Sequence, residues 1–131
     1  LKAALTADPA RLATLEAIVH PLVAADRMAF VRGHAAAPIV VLDIPLLFET
    51  GAEAQMDGVA VVSTDEHIRR ARVLARPGMT EQTLDLVLSR QLPDDQRRAR
   101  ADWIIPSHSL DAAAAAVDAI CSEILSQRPH A

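Results

Sequence analysis

The chain holds one cysteine, no tyrosine, one tryptophan and two phenylalanines in 131 residues. A single cysteine excludes an internal disulfide and fits a reducing compartment, so a cytoplasmic protein is expected. Aromatic residues make up 2% of the chain although 51% is hydrophobic, so alanine carries much of the apolar count. Alanine favours helix and adds little core volume. No apolar run approaches the roughly 20 residues that span a bilayer, and no stretch reads as a signal peptide. The formal net charge of −4 argues against bulk electrostatic binding to nucleic acid or an anionic membrane. Glycine is scarce: Gly33, Gly51, Gly58 and Gly78 are all there are, and none is followed by lysine or arginine. A phosphate loop, Gly-x-x-x-x-Gly-Lys-[Ser/Thr], is therefore absent from this sequence. His67, His108 and His130 form no metal-ligand spacing with one another or with Cys121, so no metal site is expected. No Ser-His-Asp set has local support either.

What is present begins with Ile39-Val40-Val41-Leu42-Asp43-Ile44-Pro45-Leu46-Leu47-Phe48-Glu49. An unalternating Ile/Val run predicts a strand over 39–44, buried on both faces in a parallel sheet covered by helices. Residues past the carboxyl end of such a strand face the ligand crevice, which places Asp43 to Glu49 beside the chemistry. Before it, Asp8-Pro9 reads as an N-cap and first helical residue. Leu12, Leu15, Val19 and Leu22 supply an apolar stripe. Proline disfavours helix at the preceding residue, so a break is expected at His20 with a second helix over 21–34. After it, the pattern predicts a short helix within 51–58, a strand at 59–62 and a helix from Thr64 or Asp65 to Ala75. Arg76-Pro77-Gly78 reads as a hinge. A helix capped by Thr80, a short helix from Pro93-Asp94, a strand at Trp103-Ile104-Ile105 and a last helix over 110–127 follow. Val117, Ile120, Cys121 and Ile124 are expected to face inward on that helix. Strand, helix, strand, helical excursion, strand, helix is an α/β layered order with a parallel sheet.

Eight of the twelve arginines lie between Arg69 and Arg100. Arginine suits phosphate oxygens because its planar fork binds them bidentately. Arg69, Arg72 and Arg76 fall on one helical face, beside the Gly78 hinge. Two readings of that face stand: a lid closing on a triphosphate, or a solvated face paired with Asp65, Glu66 or Glu81. Asp43 ends an apolar strand as a magnesium-holding aspartate does in phosphate-loop enzymes, although many buried strands end in Asp. Glu49 either faces a substrate or caps the following turn. His20 either bonds a substrate phosphate or serves as a structural hydrogen-bond partner.

Together these segments resemble the dephospho-coenzyme A kinase family. Leu15 to Val23 resembles that family's helix with its His-Pro pair, His20-Pro21. Leu42 to Glu49 resembles its Pro-Leu-Leu-Phe-Glu segment. Arg72, Arg76, Gly78-Met79-Thr80-Glu81 and Gln91 resemble its lid. Gln91 through Arg97-Arg98-Ala99-Arg100-Ala101-Asp102-Trp103-Ile104-Ile105 resembles the stretch entering its last strand. Four motifs in order make the resemblance specific.

The resemblance implies a P-loop NTPase-like parallel sheet with flanking helices and a helical lid, truncated at its N-terminus. It implies a single kinase-like α/β domain fragment over 1–131, with an acceptor-side helical region over 1–36 and a lid over 65–100. The implied activity is phosphorylation of the ribose 3′-hydroxyl of dephospho-coenzyme A with ATP and Mg²⁺, the last step of coenzyme A biosynthesis. By the same resemblance, Arg72 and Arg76 are catalytic lid residues at the ATP phosphates, joined in ATP binding by Gln91. His20, Pro45, Leu46, Leu47 and Glu49 line or support the acceptor side. The family's first strand, phosphate loop and base lie upstream of the matched region, so the 131 residues alone are expected to be inactive. The chain departs from the family after its last strand, where Pro106-Ser107-His108-Ser109 replaces the usual asparagine and glycine. Other readings are a different small-metabolite kinase of the same fold, or a non-catalytic α/β binding module.

Overall fold

A computed structural model describes residues 9–127; for Pro9 and Leu12 it gives the backbone alone. The Asp8 cap and the Leu12 position of the apolar stripe thus lie outside what is described. The chain divides into two compact units, Leu1–Val41 and Leu42–Ala131.

The first unit is dominated by one helix, α1 (Pro9–Gly33), which contains Pro21. The break expected at His20 does not occur. Proline removes one amide donor, and the single intrahelical bond it forfeits is outweighed by a flanking sequence rich in alanine and leucine, which are strong helix formers. Two short helices are therefore replaced by one of 25 residues. The expected apolar stripe is not buried: Val19 and Leu22 are exposed, as are Ile18 and Val23. Helical spacing lines these side chains up without burying them.

A second correction concerns 39–44. No strand forms there, and Val41 is 82% exposed. A strand needs a neighbour to complete its ladder of hydrogen bonds, and among the described residues none supplies it.

In the second unit, a 3-10 turn (Ala52–Gln55) leads to β1 (Ala60–Ser63). Helices α2 (Glu66–Leu74), α3 (Glu81–Leu88) and α4 (Asp94–Arg100) follow, then β2 (Trp103–Pro106) and α5 (Leu110–Ser126). β1 and β2 pair in parallel, with Ala60 opposite Trp103 and Ser63 opposite Pro106. Two side-chain caps fix helix starts. The Thr80 hydroxyl accepts from the Thr83 amide at the start of α3, and Ser109 accepts from Ala112 at the start of α5. Each satisfies an amide that the first helical turn leaves without a partner. Gly78 adopts φ 76°, a left-handed conformation glycine takes without a Cβ penalty, and so reverses the chain between α2 and α3.

The core is small. Phe48, Val59 and Val61 are buried together, with Leu47, Met56, Leu92, Ala101 and Ile104 packed on them. Leu84, 2% exposed, is buried on α3. α5 packs on β2 with Ile120, Cys121 and Ile124 half-buried, but Val117 is exposed, against the inward position its spacing suggested. Asp102 joins the strands at their entry: its carboxylate accepts from the Val59 amide at 2.8 Å while its own amide donates to the Val59 carbonyl.

Candidate active site

Because β1 and β2 are parallel and in register, their carboxyl ends coincide at Ser63 and Pro106. Ligand crevices of parallel α/β sheets open at that end. Ser63 is buried there, and its hydroxyl donates to Asp94 Oδ2 at 2.9 Å. Asp94 Oδ1 in turn accepts from Arg97 Nη2 at 2.6 Å. The Ser107 amide continues the ladder by donating to the Ser63 carbonyl.

A cavity of about 260 Å³ adjoins β1. Its lining consists of the segment Asp43–Glu49, the strand stretch Val59–Val62, and the side chains Gln91 and Arg97. The structure therefore gathers Pro45, Leu46, Leu47, Glu49 and Gln91, five residues singled out in the sequence, around one space. Asp43 joins them and is exposed.

The wall 45–51 is a tight turn with an unusual member. Leu46 has φ 56°, the left-handed region a leucine rarely enters. The conformation costs roughly 1–2 kcal/mol. It is held by Thr50, whose amide and hydroxyl both donate to the Leu46 carbonyl, at 3.1 and 2.9 Å. Strain maintained by such bonding gathers at functional sites. Glu49 anchors the same wall from the other side. Its Oε1 accepts from the Leu92 amide, tying the turn to the segment that enters α4. One Glu49 oxygen is thus a structural acceptor, though for Leu92 rather than for the turn that follows it.

The arginines divide by what they touch. Arg69 pairs with Glu66 within α2. Arg70 reaches from α2 to Glu81 and Asp85 of α3 and clasps the two helices across the Gly78 turn. The hydrogen bond with Asp85, followed by the charge of Glu81, raises the Arg70 pKa, so it stays cationic at any working pH. Arg100 pairs with Glu53 and lies 4.6 Å from the Phe48 ring centroid. Arg72 Nη1 donates to the Ser107 carbonyl at 2.6 Å and joins α2 to the loop beyond β2. Arg76 is exposed at the hinge. Neither Arg72 nor Arg76 lines the cavity. His20 is exposed on α1 in the other unit.

Arg97 was singled out only as part of a longer basic stretch, yet it lines the cavity. Its spacing to Asp94 (i, i+3) was a legible ion-pair signal. Its exposure to the cavity was not legible, since that depends on how α4 lies against β1. Among the described residues, no group of three His, Cys, Asp or Glu side chains gathers to hold a metal ion, and no helix is long and apolar enough to cross a membrane.

Comparison with known proteins adds the decisive observation. The family model described as CoaE: Dephospho-CoA kinase matches residues 1–112. The chain belongs to the dephospho-CoA kinase family. It is 51% identical over 131 residues to the dephospho-CoA kinase of Mesorhizobium japonicum, covering 98% of this chain and 66% of that protein. It is 50% identical to the one from Rhizobium meliloti, covering 92% of the chain and 63% of the relative. Among solved structures, it resembles TT1252 from Thermus thermophilus with a TM-score of 0.68 and 32% identity, covering 91% of this chain and 62% of that one. The chain thus spans a little under two thirds of the length of these proteins. Family and structural likeness together establish the fold class read from the sequence: a P-loop NTPase-like α/β architecture, here with a parallel sheet and flanking helices.

Proposed function

We propose that the protein phosphorylates the ribose 3′-hydroxyl of dephospho-coenzyme A with ATP, the last step of coenzyme A biosynthesis, in the cytoplasm. Family membership supports this reading. The observation that carries it is the convergence of Pro45, Leu46, Leu47, Glu49 and Gln91 on one cavity beside β1. In this reading Pro45 to Glu49 form the acceptor wall, made rigid by the Thr50 and Leu92 hydrogen bonds. A rigid wall matters because phosphoryl transfer depends mainly on positioning and charge stabilisation rather than covalent chemistry by the protein. His20 belongs to the acceptor side on the family resemblance alone. The segment 65–100 acts as the lid of a single kinase-like domain. Arg72 and Arg76 bring charge to the ATP phosphates when it closes, with Gln91 at its base. Arg72 leaves the Ser107 carbonyl to do so.

Magnesium accompanies ATP in this reading. Asp43 fits it, since Mg²⁺ is usually held by one or two carboxylates and completes its shell with phosphate oxygens and water. Bound there, the ion would neutralise charge on the phosphoryl oxygens. The 131 residues hold no phosphate loop, so the chain by itself is expected to turn over no ATP.

The test is an ADP-release assay on the protein made from its complete reading frame. Dephospho-coenzyme A, nucleoside monophosphates and simple sugars are offered in turn, and the phosphorylated position is read by ³¹P NMR. Turnover with dephospho-coenzyme A alone is expected. Preference for another acceptor would replace this reading by a different small-metabolite kinase. Absence of turnover with every acceptor would leave a binding module.

A further inference from the structure

Two residues of the turn 46–51 hold a left-handed backbone, Leu46 at φ 56° and Gly51 at φ 69°. At 51 the sequence supplies glycine, which takes that conformation without a Cβ penalty. At 46 it keeps leucine and bears the strain. The two positions differ in what a side chain can do there. Leu46 lines the cavity and Gly51 does not. A side chain retained where glycine would relieve the backbone points to a use for that side chain in the cavity.

The hold on Leu46 comes from Thr50. Thr50 is exposed and does not line the cavity, yet its hydroxyl turns inward. It donates to the Leu46 carbonyl at 2.9 Å and to the Leu47 carbonyl at 3.2 Å. The Thr50 amide adds a bond to the Leu46 carbonyl at 3.1 Å, and the Ala52 amide one to the Leu47 carbonyl at 3.0 Å. Each of these two carbonyls therefore accepts two hydrogen bonds, the capacity of its two lone pairs. Any residue but proline at 50 could supply the amide bond. Only a hydroxyl side chain, on a threonine or serine, supplies the other two in this way. Phe48, buried in the core, anchors the middle of the turn.

We infer that Thr50 is a positioning residue of this cavity. Its hydroxyl fixes the Leu46 and Leu47 carbonyls, keeps Leu46 left-handed, and so sets the Leu46 side chain on the surface that the acceptor meets. The identity of that acceptor as dephospho-coenzyme A rests on the kinase reading. Because the strain that Thr50 holds lies within the wall 45–49, its effect falls on acceptor affinity and not on ATP affinity.

The test uses the protein from the complete reading frame. Binding of dephospho-coenzyme A is measured by calorimetry for the parent, Thr50→Val and Thr50→Ser, together with kcat, KM for each substrate and thermal melting. T50V keeps the outline of threonine and loses the donor; T50S keeps the donor. Loss of the hydroxyl's net contribution predicts roughly three- to tenfold weaker acceptor binding in T50V, with KM for ATP unchanged. T50S should stay within about twofold of the parent. A purely structural defect would instead lower Tm and the active fraction, and with them kcat, while leaving both KM values alone. The route through Leu46 is tested in a Leu46→Gly background. Glycine needs no hold in the left-handed region, so there T50V should change acceptor affinity by less than about twofold, although L46G is itself weaker than the parent. Should L46G fail to fold, the split between acceptor and ATP in T50V and T50S decides alone.

Acceptor binding that T50V leaves within about twofold would overturn the inference. So would an equal loss in the L46G background, or a rise in KM for ATP to match that for the acceptor. Normal turnover of dephospho-coenzyme A by T50V would uphold the kinase reading and overturn the role of Thr50. Binding of dephospho-coenzyme A that T50V weakens, in a parent that transfers no phosphoryl group to it, would uphold Thr50 and overturn the kinase reading. A parent that does not bind dephospho-coenzyme A would overturn both.

Discussion

Gly58 is where the structure makes its sharpest demand on a single residue. A Cβ built on Gly58 falls 2.5 Å from Trp103 Cζ3 and 2.7 Å from Cη2. Carbon atoms in contact prefer about 3.5–4.0 Å, so Gly58→Ala forces a displacement of roughly 1 Å. The indole is poorly placed to give way. Trp103 opens β2 opposite Ala60, its amide donates to the Val59 carbonyl, and its Nε1 donates to Glu123 of α5 at 3.0 Å. Moving the ring loosens the α5 contact, and moving the backbone strains the Asp102 bond to Val59. Overpacking of this kind costs about 1–3 kcal/mol. A loss of that size lowers Tm by roughly 3–12 °C in a domain this large. Trp103 is the only tryptophan, so its fluorescence reports the displaced ring directly while circular dichroism follows the melt. In a Trp103→Leu background the clash is gone, and Gly58→Ala should then cost less than about 0.5 kcal/mol, a coupling well above the error of a double-mutant cycle. An unshifted emission spectrum with Tm within about 1 °C of the parent would refute the reasoning. Equal losses in both backgrounds would do the same.

Glu49→Ala leaves the half-buried Leu92 amide without its acceptor and should destabilise by about 1–3 kcal/mol; Glu49→Gln, which keeps an acceptor oxygen, should cost less, and urea titration of both separates them. Arg76 is exposed, so Arg76→Ala should leave the melting curve unchanged; in the protein from the complete reading frame it should lower kcat by up to about 10³-fold if lid arginines act as proposed. Arg70→Ala unclasps α2 from α3 and should cause a small loss of stability that shrinks as salt is added, because the pair is exposed and screened. The raised Arg70 pKa means its contribution is fully present at neutral pH and fades only in strong alkali; a melting temperature that changed between pH 7 and 9 in the parent but not in Arg70→Ala would contradict this.

How much of this was legible depended on whether the deciding interaction was local. Thr80 and Ser109 cap their helices because the hydroxyl and the amide it satisfies lie three residues apart, and sequence reports spacing directly. Gly78 turns the chain because only its own φ is involved. The cavity wall at Pro45 to Glu49 was legible through a motif, but its mechanism was not. Leu46 in a left-handed conformation is invisible in sequence, since leucine is a residue one expects elsewhere. Arg97 and Asp102 escaped for a related reason. Asp102 meets Val59, 43 residues away, and Arg97 is placed through Asp94, whose other oxygen meets Ser63, 31 residues away, and nothing in composition announces such pairings.

The two failures in the first half of the chain share one cause. Apolar periodicity in α1 and the Ile/Val run at 39–44 both state a demand for burial, and a demand is not a partner. Helical structure meets its hydrogen bonds within itself, so α1 forms and even carries Pro21 while Val19 and Leu22 remain exposed. A strand cannot do this. Its amides and carbonyls need a neighbouring chain, so the same apolar excess that leaves α1 intact leaves 39–44 without strand structure. Further along, β1 does find a partner in β2, and there the reading of a strand holds. The contrast also explains why the candidate site stands despite the missing strand. Pro45 to Glu49 owe their positions to Thr50, Leu92 and the Phe48 core, contacts made after the Ile/Val run, so this cavity wall does not depend on 39–44 being paired.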